Sequence, residues 1–543
     1  MRNRIFVLVL VVLFAFTVLG QAGSAAPSVT IRVAVPTDPE SFDSSKRAEE
    51  VGNTIIQETQ EGLVRLGPGL KIMPAGATKW EVSKDGLTWT FHLRNYTYSD
   101  GVKVKAADYV YAAQRLFDPA TTADSAGIFY CIKGGEAYNS NKGTAAGVDV
   151  KALDDNTVQY HLNQPVPYFD QLANFICLLP LRKELVEKAG STYGSDPKQM
   201  VFCGPFVVDQ WIRGSKIILK KNPKFWDAKR VKIDEVIVNI VPEQATMEQL
   251  FASKQIDVIQ NVRAEFAAQL KGKAKSGELG SIVAYYPRIR YIAFNNKDKT
   301  KLFTNAKVRQ AFSLAIDRES FTKNILKMDV PAYGFVPYGL SNGNQLFRTS
   351  VPEPLKALKN EDPKKLLQQG LKELRMDPTQ PVEVTFLQRN SSATERLYGE
   401  FYQDQWQKRL GVKVKLDVAL DIPTFNQSIH KGEFQVASTG WGADYNDPMT
   451  FMELGLSGSP NNASFFSNTE YDKLVQQAMV MSDMKKRLEL FKKAEKIFVV
   501  DEAAIAPLSF TIRSVYFNGK LKGLLSQAGG PIFELRDAYM ATK

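Results

Sequence analysis

The chain has 543 residues, 44% of them hydrophobic, with 69 Lys and Arg against 58 Asp and Glu and a net charge of +11. That length exceeds one ordinary domain and predicts two or three large lobes. The basic residues are scattered, with no stripe interleaved with aromatics, which speaks against nucleic-acid binding.

The first segment holds Arg2 and Arg4, an apolar run over 5–19 and small residues over 20–26. This is the pattern of a secretory signal peptide, with cleavage expected near 24–26 and no cysteine there for lipid attachment. Its removal leaves about 517 residues at +9. The apolar run is short for a membrane span, and no later stretch is long and apolar enough to be one. An exported protein can hold a disulfide. Of Cys131, Cys177 and Cys203, the expected pair is Cys177–Cys203, because both flank turn-like segments between which the chain can double back.

The texture that follows is α/β. Residues 87–93 alternate as a strand, and a Ser99-Asp100-Gly101 turn leads into a helix over 106–117 with Tyr109, Ala113, Leu116 and Phe117 at helical spacing. Strands are predicted at 216–219, 236–240, 256–259, 382–387 and 412–418, and helices at 244–252 and 393–410. Asn305 is placed to cap a helix over 307–316. The Pro-, Gly- and Asn-rich stretch 331–363 reads as a long loop, the usual seat of function. Residues 469–498 read as mostly helix, with Met, Leu and Phe on one side and Lys, Arg and Glu on the other.

Little suggests an enzyme. The three histidines, His92, His161 and His430, form no HExxH pattern, and no Cys/His cluster has zinc spacing. There is no GxSxG elbow and no phosphate-binding loop. Ser195 to Lys198 and Ser320 to Lys323 match the loose SxxK pattern, which leaves a secreted hydrolase as a remote alternative. No metal or cofactor is implied.

The most informative segment is Gly440-Trp441-Gly442-Ala443-Asp444-Tyr445-Asn446-Asp447-Pro448, after a strand-like run over 434–437. Glycines let a ligand backbone approach, Trp supplies a rigid apolar wall, and a carboxylate can hold a cation. Taken alone, the segment also reads as a strand ending in a turn, with Asn446-Asp447-Pro448 as turn chemistry.

Five blocks in order resemble the extracellular solute-binding proteins of peptide ABC transporters, the oligopeptide/dipeptide-binding family. They are Trp89 to Arg94 with Tyr98-Ser99-Asp100-Gly101 and Ala107 to Tyr111; Gly204-Pro205-Phe206 with Asn222-Pro223 and Phe225-Trp226; Phe303 to Glu319; Pro331 to Gly334; and Trp441 to Pro448. The resemblance runs from about Arg32 to the C-terminus. It implies an α/β, two-lobed periplasmic binding protein with a hinge and an additional α/β domain inserted in lobe one. By analogy, 1–26 is the signal peptide, 27–60, 183–288 and 512–543 form lobe one, 61–182 the extra domain, and 289–511 lobe two. The implied protein is a periplasmic monomer, not an enzyme, that encloses a short peptide and delivers it to an inner-membrane ABC permease.

In that family the ligand lies extended between the lobes and pairs with their backbones, a form of strand addition. The lobe-two backbone partner resembles Gly440-Trp441-Gly442, and the aspartate that holds the ligand's α-ammonium falls on Asp444. Counting back from Glu61-Gly62-Leu63 puts the lobe-one partner near Ala48, Glu49 and Glu50. Tyr130, Asn261, Tyr286 and Tyr291 fall near family pocket positions. The basic groups that meet the ligand carboxylate are replaced: Ser438 stands for an arginine, Glu395 for a histidine, and only Lys327 lies near an expected lysine. Gly442 replaces a half-cystine. Arg389, Arg396 or Lys327 is left to serve the carboxyl end, or the ligand is an opine, a murein fragment, an oligosaccharide or a metal chelate.

Overall fold

Every long strand of the main sheet except two belongs to one half of the molecule; the two exceptions bind the halves together. The computed structural model describes residues 28–46, 49–526 and 530–542. The expected signal segment and Ala48 lie outside these residues. The strands and helices that carry the argument are β1 (Thr30–Val35), α1 (Glu50–Thr59), β2 (Leu279–Phe294), β3 (Glu383–Gln388), β4 (Val436–Gly442), α2 (Met484–Lys496) and β5 (Ile505–Asn518).

One sheet runs in the order Lys413–Val418, β3, β4, β2, β5, Val258–Gln260, β1, Glu235–Ile240, Lys216–Lys221, Phe206–Ile212. β2 and β5 are 16 and 14 residues long. They pair antiparallel from Leu279↔Asn518 to Ala293↔Ile505, with a register break between Tyr285 and Ile289. The interruption contains Pro287, which has no N–H to give a ladder. The expected boundaries at 288/289 and 511/512 therefore fall inside two continuous strands, beside their irregular point.

The main core runs through both halves, and the second half has a further core of its own. On one side Ile31, Val33, Ile217, Leu219, Val236 and Val238 are almost wholly buried; these strands present β-branched residues to a covered sheet. On the other side Phe294 stacks on Phe303 at 5.4 Å, and Trp406 donates from Nε1 to Phe312 O at 2.9 Å. A separate four-stranded antiparallel sheet, in the order Ala77–Val82, Thr88–Leu93, Thr157–His161, Val150–Asp154, stands between Thr59 and Lys183 in sequence. Its Trp89, Phe91 and Tyr160 pack around Phe169. No described helix is long and apolar enough to cross a membrane.

One expectation needs correction and two gain detail. The Cys177–Cys203 bridge is absent: the Cys203 sulfur lies in a buried site beside Gln60 Oε1 at 3.3 Å, and both cysteines are thiols. Helix 469–498 is two helices, Thr469–Val480 and α2, because Asp483 accepts from Lys485 N and Lys486 N and starts a new helix. The stretch 331–363 is a long, largely irregular loop, as expected, and it is anchored in the core. Arg348 forms a fully buried pair with Glu495 of α2, which also accepts from Phe335 N and Val336 N at 2.7 and 3.0 Å.

Candidate functional site

β4 runs past the turn-like reading of its sequence and stays a strand through Gly442. On one side it pairs with β2, from Val436↔Phe294 to Gly442↔Arg288. On the other it meets β3 only at Val436 and Ala437. From Ser438 to Gly442, no described strand pairs that second edge. Such an edge offers backbone donors and acceptors to an added extended chain.

The two glycines do different things. A Cβ at Gly440 would stand 2.6 Å from Ile289 O, so this residue allows β4 to pack against β2. A Cβ at Gly442 would meet nothing within 4 Å, so Gly442 leaves space beside the open edge. Beyond it, Ala443 N donates to Pro287 O at 2.8 Å and ties the segment to the irregular point of β2.

The rest of the motif is held by long-range contacts. Asp447 and Arg487 of α2 form a two-pronged pair at 2.6 and 2.8 Å, with both side chains almost entirely buried. Asn446 accepts from Ser341 N at 3.1 Å and donates to Leu70 O at 3.3 Å. The Tyr445 ring lies on Tyr168, and the Arg487 guanidinium stands 5.1 Å from the Tyr168 ring centre. Asp444 is thereby presented on a fixed turn, its own N–H donating to Thr450 Oγ1.

Of the cavities that touch this segment, two are lined by expected site residues. The first, about 280 Å³, is lined by Glu49, Glu50, Tyr286 and Asp444, among others. No described Lys or Arg lines it. Glu49 caps α1 by accepting from Gly52 N with Oε1, while its buried Oε2 has no described hydrogen-bond partner. Glu50 pairs with Arg513, whose guanidinium lies 4.1 Å from the Tyr286 ring centre. Burial raises the Tyr286 hydroxyl above its ordinary range and so keeps it a neutral donor. Next to Asp444, burial pushes the Glu453 carboxyl up to about 7, against the Tyr445 hydroxyl it accepts from at 3.2 Å, with the charges of Asp444 and Asp447 adding to the rise. Among the described residues that line it, the cavity carries carboxylates and no Lys or Arg, which suits a cationic group.

The second cavity, about 610 Å³, is lined by Tyr291, Arg389, Gly440 and Trp441. Tyr291 is buried edge-on against Phe335. The expected residues thus divide: Glu49, Tyr286 and Asp444 share one cavity, Tyr291, Gly440 and Trp441 the other, and Gly442 lies on the strand between. Tyr130 and Asn261 line neither. Tyr130 stacks on Phe117 and donates to Asn139 Oδ1 at 2.7 Å; Asn261 is an exposed residue with φ of 53° ahead of helix Ala264–Lys275. Sequence reading missed Glu453, which lies just past the motif, and Tyr168 and Arg513, which come from distant segments and carry no local signal.

The comparisons agree with this architecture. The sequence model for bacterial extracellular solute-binding proteins, family 5 (middle region), matches residues 71–463. The chain is 30% identical over 517 residues to the oligopeptide-binding protein OppA of Bacillus subtilis, covering 94% of this chain and 92% of that one. The structure of the Escherichia coli murein tripeptide binding protein MppA superposes with a TM-score of 0.77 at 26% identity, covering 95% and 99%. Haemophilus influenzae OppA in complex with RPPGFSPFR gives 0.76 at 27% identity, covering 95% and 100%. The chain belongs to the bacterial extracellular solute-binding proteins, family 5.

Proposed function

We propose that the protein encloses short peptides between its two lobes and hands them to a membrane ABC permease. The observation that carries this reading is the open edge of β4 ending in an acidic cavity. Backbone pairing along Ser438 to Gly442 supplies affinity that does not depend on ligand sequence. Asp444 meets the ligand's α-ammonium, with Glu49 deepening the negative field. β2 and β5 act as the hinge at 286–288 and 510–512, and hinge closure buries the ligand with no covalent step. The protein works outside the cytoplasm as a monomer after its leader is removed near 24–26. The lobe boundaries are 27–60, 183–288 and 512–543 for lobe one, 61–182 for the extra domain and 289–511 for lobe two.

Several relatives support the ligand class through what they bind: one solved structure is Listeria monocytogenes OppA bound to peptide, 30% identical to this chain. The test is calorimetry with tri- to pentapeptides and their N-acetylated counterparts. Free-amine peptides should bind, acetylation should weaken them, and Asp444→Asn should weaken them by about 10- to 150-fold, the range for a charge-assisted bond. Equal binding after acetylation removes the role of Asp444; no binding of any peptide removes the function.

A further inference from the structure

The end of the main sheet where β1 starts is crowded with lysine. The strand register brings together Thr30 with Glu235, Val258 with Phe517, and Leu279 with Asn518. The turns that meet there surround an open hollow of about 710 Å³, lined by Lys254, Lys520 and Lys522 among others. All three lysines are exposed, and none has an ion-pair partner among the described residues. Lys520 and Lys522 flank the buried Leu521, so they share the outer face of a short strand. Helix Ala264–Lys275 ends just before Gly277 on the rim, and its last turns add exposed Lys271 and Lys275, four residues apart on one face.

The carboxylates at this end are already engaged. Asp257 is buried and accepts from Arg32 N at 2.9 Å and Asn518 Nδ2 at 3.3 Å. Glu278 pairs with Lys273 at 3.4 Å, while Asp234 and Glu235 accept from Val29 N and Thr30 Oγ1. The lysines without partners therefore leave a positive face.

Two further observations point to what this face meets. Tyr539 is 46% exposed and stands directly across the strand pair from Lys522. An exposed tyrosine among lysines matches a bilayer interface, with the ring at headgroup level and the ammonium groups on lipid phosphates. The chain also enters the fold at this end, where Val29 is tied to Asp234 and Thr30 opens β1. The apolar run over 5–19 lies shortly upstream in the sequence. At most about 35 Å of extended chain separates the two, so a leader drawn into a membrane leaves this end of the fold beside the lipid.

We propose that this lysine-lined end is a docking face for an anionic bilayer surface, with Lys254, Lys520 and Lys522 at its centre and Tyr539 as its interfacial anchor. The contact is peripheral and reversible. From Leu279 to Tyr286, β2 advances about 23 Å, which keeps the acidic cavity at Tyr286 clear of the lipid. Docking confines the protein to the membrane surface and does not depend on what the cleft binds.

The test is co-sedimentation of the full-length mature protein, in low salt, with vesicles of phosphatidylcholine alone or with about 30% phosphatidylglycerol. Wild type should favour the anionic vesicles by about 10-fold or more, since one lysine at an anionic surface contributes about 5-fold, and added salt should erase the preference. The triple variant Lys254→Gln, Lys520→Gln, Lys522→Gln should lose about 10-fold or more, and Tyr539→Ser about 3-fold. A charge-matched control, Lys359→Gln, Lys364→Gln, Lys365→Gln, removes three exposed lysines elsewhere and should lose less than about 2-fold. Unchanged urea midpoints show that the variants fold. Equal partitioning of wild type onto both vesicles overturns the docking face. Equal losses in the two triple variants also overturn it, marking a response to net charge alone. Neither result touches the peptide reading, which calorimetry tests separately.

Discussion

The Tyr168 and Tyr445 rings lie 5.3 Å apart and only 4° from parallel. Tyr168 comes from the segment just after the four-stranded sheet, and Tyr445 follows the candidate ligand carboxylate Asp444. The stack therefore ties the segment after the four-stranded sheet to the turn that carries Asp444, alongside the Asn446 to Leu70 hydrogen bond. An aromatic pair of this kind contributes about 0.5–1.5 kcal/mol beyond burial. Tyr168→Leu and Tyr445→Leu should each weaken peptide binding by about 2- to 10-fold, and the double variant should lose less than the product of the two. Such coupling in affinity means that the rings meet as the cleft closes. Purely multiplicative losses would show a contact that closure does not strengthen.

The Asp447–Arg487 pair should matter for stability before it matters for ligand. Arg487 is wholly buried and also donates to Ala478 O and Asn342 Oδ1 at 2.8 and 3.1 Å. Removing one member of a buried pair leaves an uncompensated charge and costs about 3–5 kcal/mol, a large share of the ~5–15 kcal/mol that stabilises a typical protein. Arg487→Met should lower the urea midpoint by a matching amount. Combining it with Asp447→Leu should recover part of the loss, because an apolar pair leaves no orphaned charge. A single variant as stable as wild type would mean the pair is dispensable.

How far the sequence spoke depended on range. The helices Ala106–Phe117, Gln244–Ala252 and Ala393–Leu410 lie where periodicity placed them, and Asn305 accepts from Lys307 N and Val308 N as a cap should. Those signals are local. The division of 469–498 was not legible, because Met481 and Ser482 do not break an apolar pattern and the Asp483 cap reads as one more surface acid. The stretch 331–363 looked loose because its anchor, Glu495, stands far along the chain. At the site, Gly440 to Asp444 was legible as a motif with two meanings. Only the pairing of β4 with β2 along one edge and barely with β3 along the other chooses between them. The grouping of Glu49 with Asp444, and of Arg389 with Lys297, has no local signal, since these residues meet only through the folded sheet; the resemblance alone named Asp444, Glu49 and Arg389, and nothing named Lys297.

The last prediction concerns protons at the amine end. An unfolded glutamate titrates near 4.3, whereas burial and the Asp444 and Asp447 charges hold Glu453 at about 7. The folded state binds this proton more tightly than the unfolded one. The group thus imposes no penalty below pH ~4.3 and an increasing one as the pH climbs to about 7, the reverse of a salt-bridged carboxylate. Ligand binding shifts the balance again. An ammonium beside Asp444 offsets the negative field at Glu453, lowers its pKa and expels protons. At pH 6.5, where most peptide amines are already charged, wild type should release a fraction of a proton, seen as a binding enthalpy that varies with the ionisation enthalpy of the buffer. Glu453→Gln should lose that variation while still binding. An enthalpy independent of buffer in wild type, or the same dependence in the variant, would place the ligand's positive end away from Asp444 and Glu453.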